Sequence, residues 1–135
     1  MHLFLFSDGG SRGNPGPAGC GAVVCDQHGA VLKKIKKYIG VTTNNQAEYQ
    51  ALIFGLKEAE KLMPDQISCY LDSKLVVEQV KGRWKVKKLE LKPHVEWIQQ
   101  FVKKYPQTRF VHIPREKNML ADKLANEAMD KALRR

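Results

Sequence analysis

The sequence predicts a mixed α/β fold in which helices pack over a mixed β-sheet. Three apolar strand patterns follow one another over residues 3–39 with only short turns between them, which is typical of an antiparallel meander. From residue 44 onward the apolar spacing changes to the period of a helix. Two further short apolar runs then alternate with helical patterns to the end of the chain. This order of elements describes a mixed sheet flanked by helices.

The first three strands form the meander. Leu3–Ser7 is a continuous apolar run, which indicates a strand buried on both faces, and the turn-forming residues 8–10 close it. A loop over residues 13–17 leads to a second strand at about Cys20–Cys25, and the third strand covers Val31–Ile39. The third strand carries lysines on both faces, so we expect it at an edge of the sheet. These are Lys33, Lys34, Lys36 and Lys37.

Helices and two short strands make up the rest of the chain. A helix is predicted over Asn44–Met63, and a strand follows it at Ile67–Leu71. Asp72-Ser73 can cap a helix over Lys74–Val80, after which residues 81–88 form a basic connector. The last three elements are a helix with one apolar face over residues 91–102, a strand at Arg109–Ile113 and a helix from Asn118 to about Leu133.

Composition bounds the class of function. The 135 residues carry a formal net charge of +9, from 23 Lys and Arg against 14 Asp and Glu, which indicates an anionic partner. No linker or repeat divides the chain, so residues 1–135 are expected to form a single domain. The longest early apolar run is too short for a membrane span or a signal peptide, so we expect a cytoplasmic protein with no membrane partner. Three cysteines without ligand spacing argue against a disulfide framework and structural zinc.

Four acidic residues occupy positions that are awkward for folding. Asp8 and Asp72 each end an apolar strand, and the carboxyl ends of neighbouring parallel strands lie together. Glu48 shares a helix face with apolar residues, which aims its carboxylate toward the sheet. Asp122 lies at the margin of the buried face of the last helix. Each acid alone has an ordinary explanation as a turn, cap or helix-margin residue. Together they predict a convergent carboxylate site.

Convergent carboxylates need a cation, because like charges in a partly dry site destabilise the fold. Oxygen ligands without a supporting His or Cys favour a hard ion, so Mg²⁺ or Mn²⁺ is the expected occupant. Two such ions would activate a water on one side of a phosphodiester and stabilise the leaving oxygen on the other. Phosphodiester hydrolysis is therefore the predicted chemistry.

Four segments carry a resemblance to a known family. Residues 7–19 (SDGGSRGNPGPAG), 43–48 (TNNQAE), 71–73 (LDS) and 118–125 (NMLADKLA) resemble, in order and spacing, the four motifs of ribonuclease H of type 1. The first motif is long and specific, the second and fourth support it, and Asp-Ser alone would carry no weight. The resemblance covers nearly the whole chain.

The resemblance implies a ribonuclease H-like fold, with a five-stranded mixed sheet made of a three-strand antiparallel meander and two parallel strands. It implies an endonuclease that cleaves the RNA strand of RNA/DNA hybrids and leaves 5′-phosphate and 3′-hydroxyl ends, with two Mg²⁺ or Mn²⁺ ions per active site. Residues 1–135 would be the catalytic domain of a short form without an N-terminal hybrid-binding domain. We expect this domain to act as a monomer.

Site residues follow from the same resemblance, position by position. Asp8, Glu48, Asp72 and Asp122 become the catalytic carboxylates that bind metal, with Asp8 bridging both ions and Glu48 near a ribose 2′-hydroxyl. Six further positions match those that approach or hydrogen-bond the hybrid, where glycine lets the backbone come close. They are Gly9, Gly10, Ser11, Asn14, Asn44 and Asn45.

Two departures from the family pattern bear on function. The loop before the last catalytic aspartate, residues 115–118, lacks the histidine that many bacterial relatives carry, and Glu116 is the candidate for its role. His112 falls on the preceding strand, where a structural role is expected. The basic helix and loop of longer relatives are shortened here to the connector, in which Trp84 and Lys85 are candidates for binding the DNA strand. For Trp84, a half-buried hinge is the alternative.

Two other functions stay open at this point. A non-catalytic nucleic-acid-binding module could keep the same fold and basic surface, although the presence of all four carboxylates favours the enzyme. A nuclease of the same fold could also act on double-stranded RNA. Recognition of the 2′-hydroxyl, which both donates and accepts hydrogen bonds, would separate RNA-containing duplexes from DNA.

Overall fold

Five strands form one mixed sheet in the computed structural model of the chain, which describes residues 1–134. They are β1 (His2–Ser11), β2 (Gly16–Cys25), β3 (Val31–Thr42), β4 (Gln66–Leu71) and β5 (Thr108–His112). The order across the sheet is β3-β2-β1-β4-β5. The strands β1, β2 and β3 pair antiparallel, whereas β4 and β5 extend the sheet in parallel from β1. The five-stranded mixed sheet predicted from the sequence is confirmed.

Helices cover both faces of the sheet. They are α1 (Asn44–Glu60), α2 (Lys74–Val80), α3 (Lys92–Lys104) and α4 (Met119–Leu133). The main core lies between the sheet and α1, α2 and α3, where Leu5, Leu52 and Ile98 are fully buried. The last helix, α4, crosses the opposite face above β2, where Gly19 and Gly21 lie directly under its backbone. Each face of the sheet therefore brings a different helix to the carboxyl end of β1.

The edge position of β3 is confirmed, and its lysines tie the strand to helices on both faces. Lys33 Nζ lies 2.9 Å from a carboxylate oxygen of Glu58 on α1. Lys36 Nζ lies 3.2 Å from Glu127 on α4. These contacts explain how an edge strand with so many cations stays attached to the rest of the domain.

The first two strands are longer than the sequence predicts. The turn expected at residues 8–10 is wrong, because β1 continues through them to Ser11, and β2 begins at Gly16 rather than at Cys20. Register pairs Asp8 with Gly21 and Gly10 with Gly19, so glycine occupies both strands where helices press against the sheet. Glycine in a strand marks close approach of another backbone as often as it marks a turn.

Other boundaries differ by a few residues at most. The helix α1 ends at Glu60 rather than at Met63, and the last strand covers Thr108–His112 instead of 109–113. All three cysteines are free thiols. Among residues 1–134, no helix is long and apolar enough to cross a membrane.

Replacing Gly9 by alanine tests the contact between β1 and α1. A Cβ at Gly9 would overlap the Ala47 carbonyl and lie 2.7 Å from the Glu48 nitrogen. We expect Gly9→Ala to lower the free energy of unfolding by about 1–3 kcal/mol, as overpacking does. The neighbouring Gly10→Ala is the control, because its Cβ would meet Asn44 Oδ1 at an ordinary 3.8 Å. Equal stability of the two variants in urea denaturation would contradict this account.

Candidate active site

Three carboxylates meet at the carboxyl ends of β1 and β4. Asp8 lies in β1, Asp72 follows the last residue of β4, and Glu48 lies in the second turn of α1. One oxygen from each carboxylate lies within 4.8 Å of the oxygens chosen from the other two. The register of the parallel pair places Ser7 beside Leu71, so Asp8, within β1, and Asp72, directly after β4, lie at the same level of the sheet. The convergence predicted from the strand ends is present in the structure.

Local capping and packing set the position of Glu48. Thr43 caps α1, since its hydroxyl accepts a hydrogen bond from the Gln46 amide at 3.2 Å. The helix then passes over Gly9, whose missing side chain allows the contact with Ala47 and Glu48 described above. The carboxylate of Glu48 is thereby carried to the edge of β1, and the Gly9 amide donates to Asp8 Oδ1 at 3.0 Å.

Burial and neighbouring charge raise the pKa values of Asp8 and Glu48. Burial, followed by the charge of Asp72, raises the pKa of Asp8 to about 8. Burial, followed by the charges of Asp8 and Asp72, raises the pKa of Glu48 well above its usual range. Charge repulsion in a partly buried site therefore favours the protonated forms when no cation is bound.

The nearby arginines do not neutralise this cluster. Arg12 and Arg115 line the same cavity, of about 290 Å³. Arg12 Nη1 lies 2.5 Å from a carboxylate oxygen of Asp130, and Arg115 Nη2 lies 3.4 Å from Asp122 Oδ1. Each guanidinium is thus engaged by an acid outside the three-carboxylate group.

The donor set fits a hard divalent cation. Glu48 Oε2 is buried and has no hydrogen-bond partner among residues 1–134, so one carboxylate oxygen of the site is left unsatisfied. The three converging side chains offer only carboxylate oxygens, which Mg²⁺ and Mn²⁺ prefer. The residues present therefore match the divalent ion that the sequence predicts.

Asp122 lines the cavity without joining the compact group of three. It lies in the first turn of α4, and a hydrogen bond between its side chain and Asp8 contributes to the raised pKa of Asp8. Its other contact is the ion pair with Arg115. The structure thus brings all four predicted acids to one cavity, with Asp122 at its margin.

Two polar residues of the site were missed by the sequence reasoning. Asn118 is 1% exposed, and its Nδ2 donates to the Ser7 carbonyl at 2.8 Å and to Asp72 Oδ2 at 3.3 Å. This side chain ties the start of α4 to β1 and to a catalytic candidate. Arg115 is the second site residue that the sequence reasoning missed. The only sequence signal for Asn118 is its position directly before an apolar helix. That position is equally typical of an ordinary helix cap.

The predicted substrate-binding residues fall into two groups. The first group lines the cavity of about 290 Å³ that holds the carboxylates, which we call the acidic cavity: Gly9, Gly10, Ser11 and Asn44. Asn44 Oδ1 accepts a hydrogen bond from the Ser11 amide at 2.9 Å, and Asn14 Oδ1 accepts one from the Asn44 amide at 3.0 Å. Both side-chain oxygens are used to hold the loop, so the amide NH₂ groups are the parts that can face a ligand.

A second cavity, of about 560 Å³, holds the other group. Asn45, Trp84 and Lys85 line it together with Lys87 and Lys88. Trp84 is 44% exposed, which leaves part of the indole at the surface and fits both the DNA-binding role and the half-buried hinge. Asn44 and Asn45 are consecutive in the first turn of α1 and line different cavities, so this turn separates the two. We call the second one the connector cavity.

The loop before α4 places Glu116 at the surface. Glu116 lies in a 3₁₀ turn over Arg115–Lys117, is exposed, and is not among the residues that line the acidic cavity. Its assignment as a substitute for the missing histidine stays a prediction. His112 Nε2 lies 3.2 Å from the Asp72 carbonyl, which agrees with the structural role expected for it.

Comparisons with known proteins extend over nearly the whole chain. A family model described as "Reverse transcriptase-like" matches residues 6–128. The bifunctional protein Rv2228c of Mycobacterium tuberculosis is 48% identical over 133 residues, which is 98% of this chain but 36% of that protein. The chain therefore spans about a third of the length of this relative. The ribonuclease H of Hydrogenovibrio crunogenus is 36% identical, with 93% of this chain and 94% of that protein covered.

Solved structures give the same picture. LC11-RNase H1, isolated from compost by a metagenomic approach, is 45% identical and superposes with a TM-score of 0.93, covering 98% of each chain. A second structure of LC11-RNase H1, in complex with an RNA/DNA hybrid, gives a TM-score of 0.91 with 97% of this chain and 99% of that chain covered.

Neutralising Asp8 tests the repulsion between the carboxylates. The folded-state pKa of about 8 exceeds the ordinary value of 3.8 for an aspartate, so the folded protein holds this proton more tightly than the unfolded chain. Stability of the metal-free protein should therefore fall as pH rises from about 4 to about 8. We expect Asp8→Asn to reduce this fall and to raise the free energy of unfolding at pH 8 by about 1–2 kcal/mol.

Thermal denaturation in EDTA at pH 5 and pH 8 measures the effect. The exposed Glu96→Gln is the matched control, since it removes one negative charge from α3 at the surface. If Asp8→Asn is no more stable than the parent at pH 8, or gains no more than Glu96→Gln, the three carboxylates do not oppose folding.

Proposed function

The chain belongs to the ribonuclease H family, and on that premise we propose that it hydrolyses the RNA strand of RNA/DNA hybrids. The observation that carries the proposal is the cluster of Asp8, Glu48 and Asp72, whose oxygens converge in a cavity also lined by Asn44. A similar protein has been crystallised in complex with an RNA/DNA hybrid. The proposal concerns this domain and the class of substrate that its site can take.

Asp8, Glu48 and Asp72 would hold the metal, with Asp122 completing the site at its margin. A pair of Mg²⁺ or Mn²⁺ ions bound there would supply Lewis acidity to the phosphodiester and a water of lowered pKa. The carboxylate oxygens of these three residues already lie within 4.8 Å of one another, so binding a metal would need little rearrangement of the ligands. Hydrolysis at this site would leave 5′-phosphate and 3′-hydroxyl ends.

Recognition of the sugar is assigned to the loop and helix start beside the acids. The backbone of Gly10 can approach a nucleic-acid strand closely because no side chain intervenes. Asn44 and Asn14 are held by their carbonyl oxygens, as described above, which leaves NH₂ donors for ribose and base edges. Contacts of this kind read the 2′-hydroxyl and not the base sequence, so cleavage is expected to be independent of sequence.

The connector cavity is assigned to the DNA strand. Lys85, Lys87 and Lys88 surround it and are exposed, and phosphate neutralisation by such lysines gives affinity without sequence preference. The half-exposed indole of Trp84 can pack against a sugar. Asn45 joins this surface to the helix that carries Glu48. One domain therefore presents a contact surface for each strand of the hybrid.

Asp72→Asn tests the proposed chemistry. Removing one carboxylate charge from the metal site should lower hybrid cleavage by about 100-fold or more in saturating Mg²⁺, while hybrid binding stays within a few-fold of the parent. Asp65→Asn, at the opposite end of β4, is the matched control, because Asp65 is exposed and pairs only with the chain amino group. A labelled hybrid in Mg²⁺, Mn²⁺ or EDTA gives the measurement.

Substrates of the three duplex types complete this test. Cleavage of the RNA strand in the hybrid, with pure DNA left intact, is the expected pattern. Cleavage of duplex RNA at a comparable rate would widen the substrate class to RNA-containing duplexes. Activity that survives EDTA or Asp72→Asn would contradict the metal site, and equal cleavage of duplex DNA would contradict sugar recognition.

Lys85→Ala tests the assignment of the connector cavity. Loss of one phosphate contact should weaken hybrid binding and reduce the slope of log K against log salt concentration by about 1. Lys34→Ala on the edge strand is the control, since Lys34 is also exposed but belongs to a surface not assigned to substrate. Filter-binding titrations over a range of NaCl concentrations give both slopes. Identical slopes for the parent and Lys85→Ala would remove Lys85 from the interface.

A further inference from the structure

A chain of polar side chains runs beneath the connector cavity. Tyr49 is fully buried, and its hydroxyl donates to Gln79 Oε1 at 2.5 Å. Gln79 is 5% exposed, and its Nε2 donates to the carbonyl oxygen of Lys85 at 3.3 Å. The buried amide of α2 therefore links a residue of α1 to the main chain of the connector.

Further contacts of α1 reach the segment that follows the connector. The ring of Tyr49 stacks on the imidazole of His94, with centroids 5.8 Å apart and 17° between the planes. His94 Nε2 lies 2.6 Å from Gln46 Oε1, and Gln46 Nε2 donates to the Glu90 carbonyl at 3.2 Å. Burial lowers the pKa of His94, which favours a neutral imidazole that donates to Gln46. Tyr49 of α1 thus reaches the connector through Gln79, and Gln46 holds the segment that directly follows it.

Among the described residues, the bond from Gln79 is the one hydrogen bond that reaches residues 85–87 from another element, beside the packing of Val86 against the core. The backbone amides up to Trp84 bond back to α2, and the Leu91 amide bonds to the Lys88 carbonyl. Between these bonds lie Lys85 and Lys87, which line the connector cavity. A buried amide is costly unless it is hydrogen-bonded, so a glutamine here is explained by the two bonds it makes.

We propose that Gln79, held by Tyr49, is a positioning residue that sets the connector against helix α1. This inference rests on the function proposed above and adds a determinant of substrate binding to it. The helix α1 carries Asn45 in the connector cavity and Glu48 in the acidic cavity. A fixed distance between the connector and α1 therefore also fixes the surfaces for the RNA strand and the DNA strand relative to each other. Such preorganisation lowers the ordering cost of binding without entering the chemical step.

Gln79→Met removes both hydrogen bonds while filling similar volume. We expect KM for the hybrid to rise about five-fold or more, with kcat within two-fold of the parent, because the carboxylates are untouched. Tyr49→Phe removes only the bond that orients Gln79, so its effect on KM should be smaller. In the Gln79→Met background, Tyr49→Phe should change KM no further, since the two residues act in series.

Limited trypsin digestion gives a readout that needs no substrate. The connector contains five tryptic sites, at Lys81, Arg83, Lys85, Lys87 and Lys88. Gln79→Met should accelerate cleavage there, as mapped by mass spectrometry, relative to sites in β3. Ile67→Val is the control for general loss of stability, because Ile67 is buried near the start of β4, at the end of the strand opposite Asp72. It should leave both KM and the cleavage pattern unchanged.

The outcomes separate the inference from the proposed function. A parent protein that does not cleave hybrids would refute the function, while faster connector proteolysis in Gln79→Met would still support the positioning role. Unchanged KM and proteolysis in an active, folded Gln79→Met would overturn the inference. A fall in kcat at constant KM would also overturn it, because the residue would then act on chemistry.

Discussion

The contact between helix α1 and the main chain of Gly9 is the constraint on which the site depends. Because no Cβ intervenes, the helix backbone at Ala47 and Glu48 rests directly on β1, one residue beyond Asp8. On the opposite face, Gly21 pairs with Asp8 and lets α4 approach in the same way, which brings Asp122 to the same cavity. A side chain at either glycine would push a helix outward and move its acid with it. The geometry of the carboxylates is therefore set by backbone contact and not by the acids themselves.

The buried carboxylates of the site lower the stability of the metal-free protein. Burial and mutual repulsion raise the pKa values of Asp8 and Glu48, so the metal-free site carries a stored electrostatic cost at neutral pH. A divalent cation would relieve the repulsion, which makes ion binding and stability of the domain thermodynamically linked.

The sequence predicted most of the fold and the four acids, because strand ends, helix period and motif spacing are local signals. It did not predict that residues 8–10 continue a strand, since glycine signals a turn unless a helix lies against it. Asn118 and Gln79 were missed for a related reason. Each is a buried amide whose partners come from distant parts of the chain, and nothing in the neighbouring sequence distinguishes it from a cap or a surface glutamine.

Helix α1 connects the two halves of the site through consecutive residues. Asn44 lines the acidic cavity and Asn45 the connector cavity, while Glu48 and Tyr49 follow one turn later, the first toward the metal site and the second toward Gln79. Displacing this helix would move residues of both cavities together. Displacing the connector would move only residues of the connector cavity. If the connector binds the DNA strand as proposed, its buried hydrogen bonds would let a short segment do the work of a larger binding element, because rigidity lowers the ordering cost of binding.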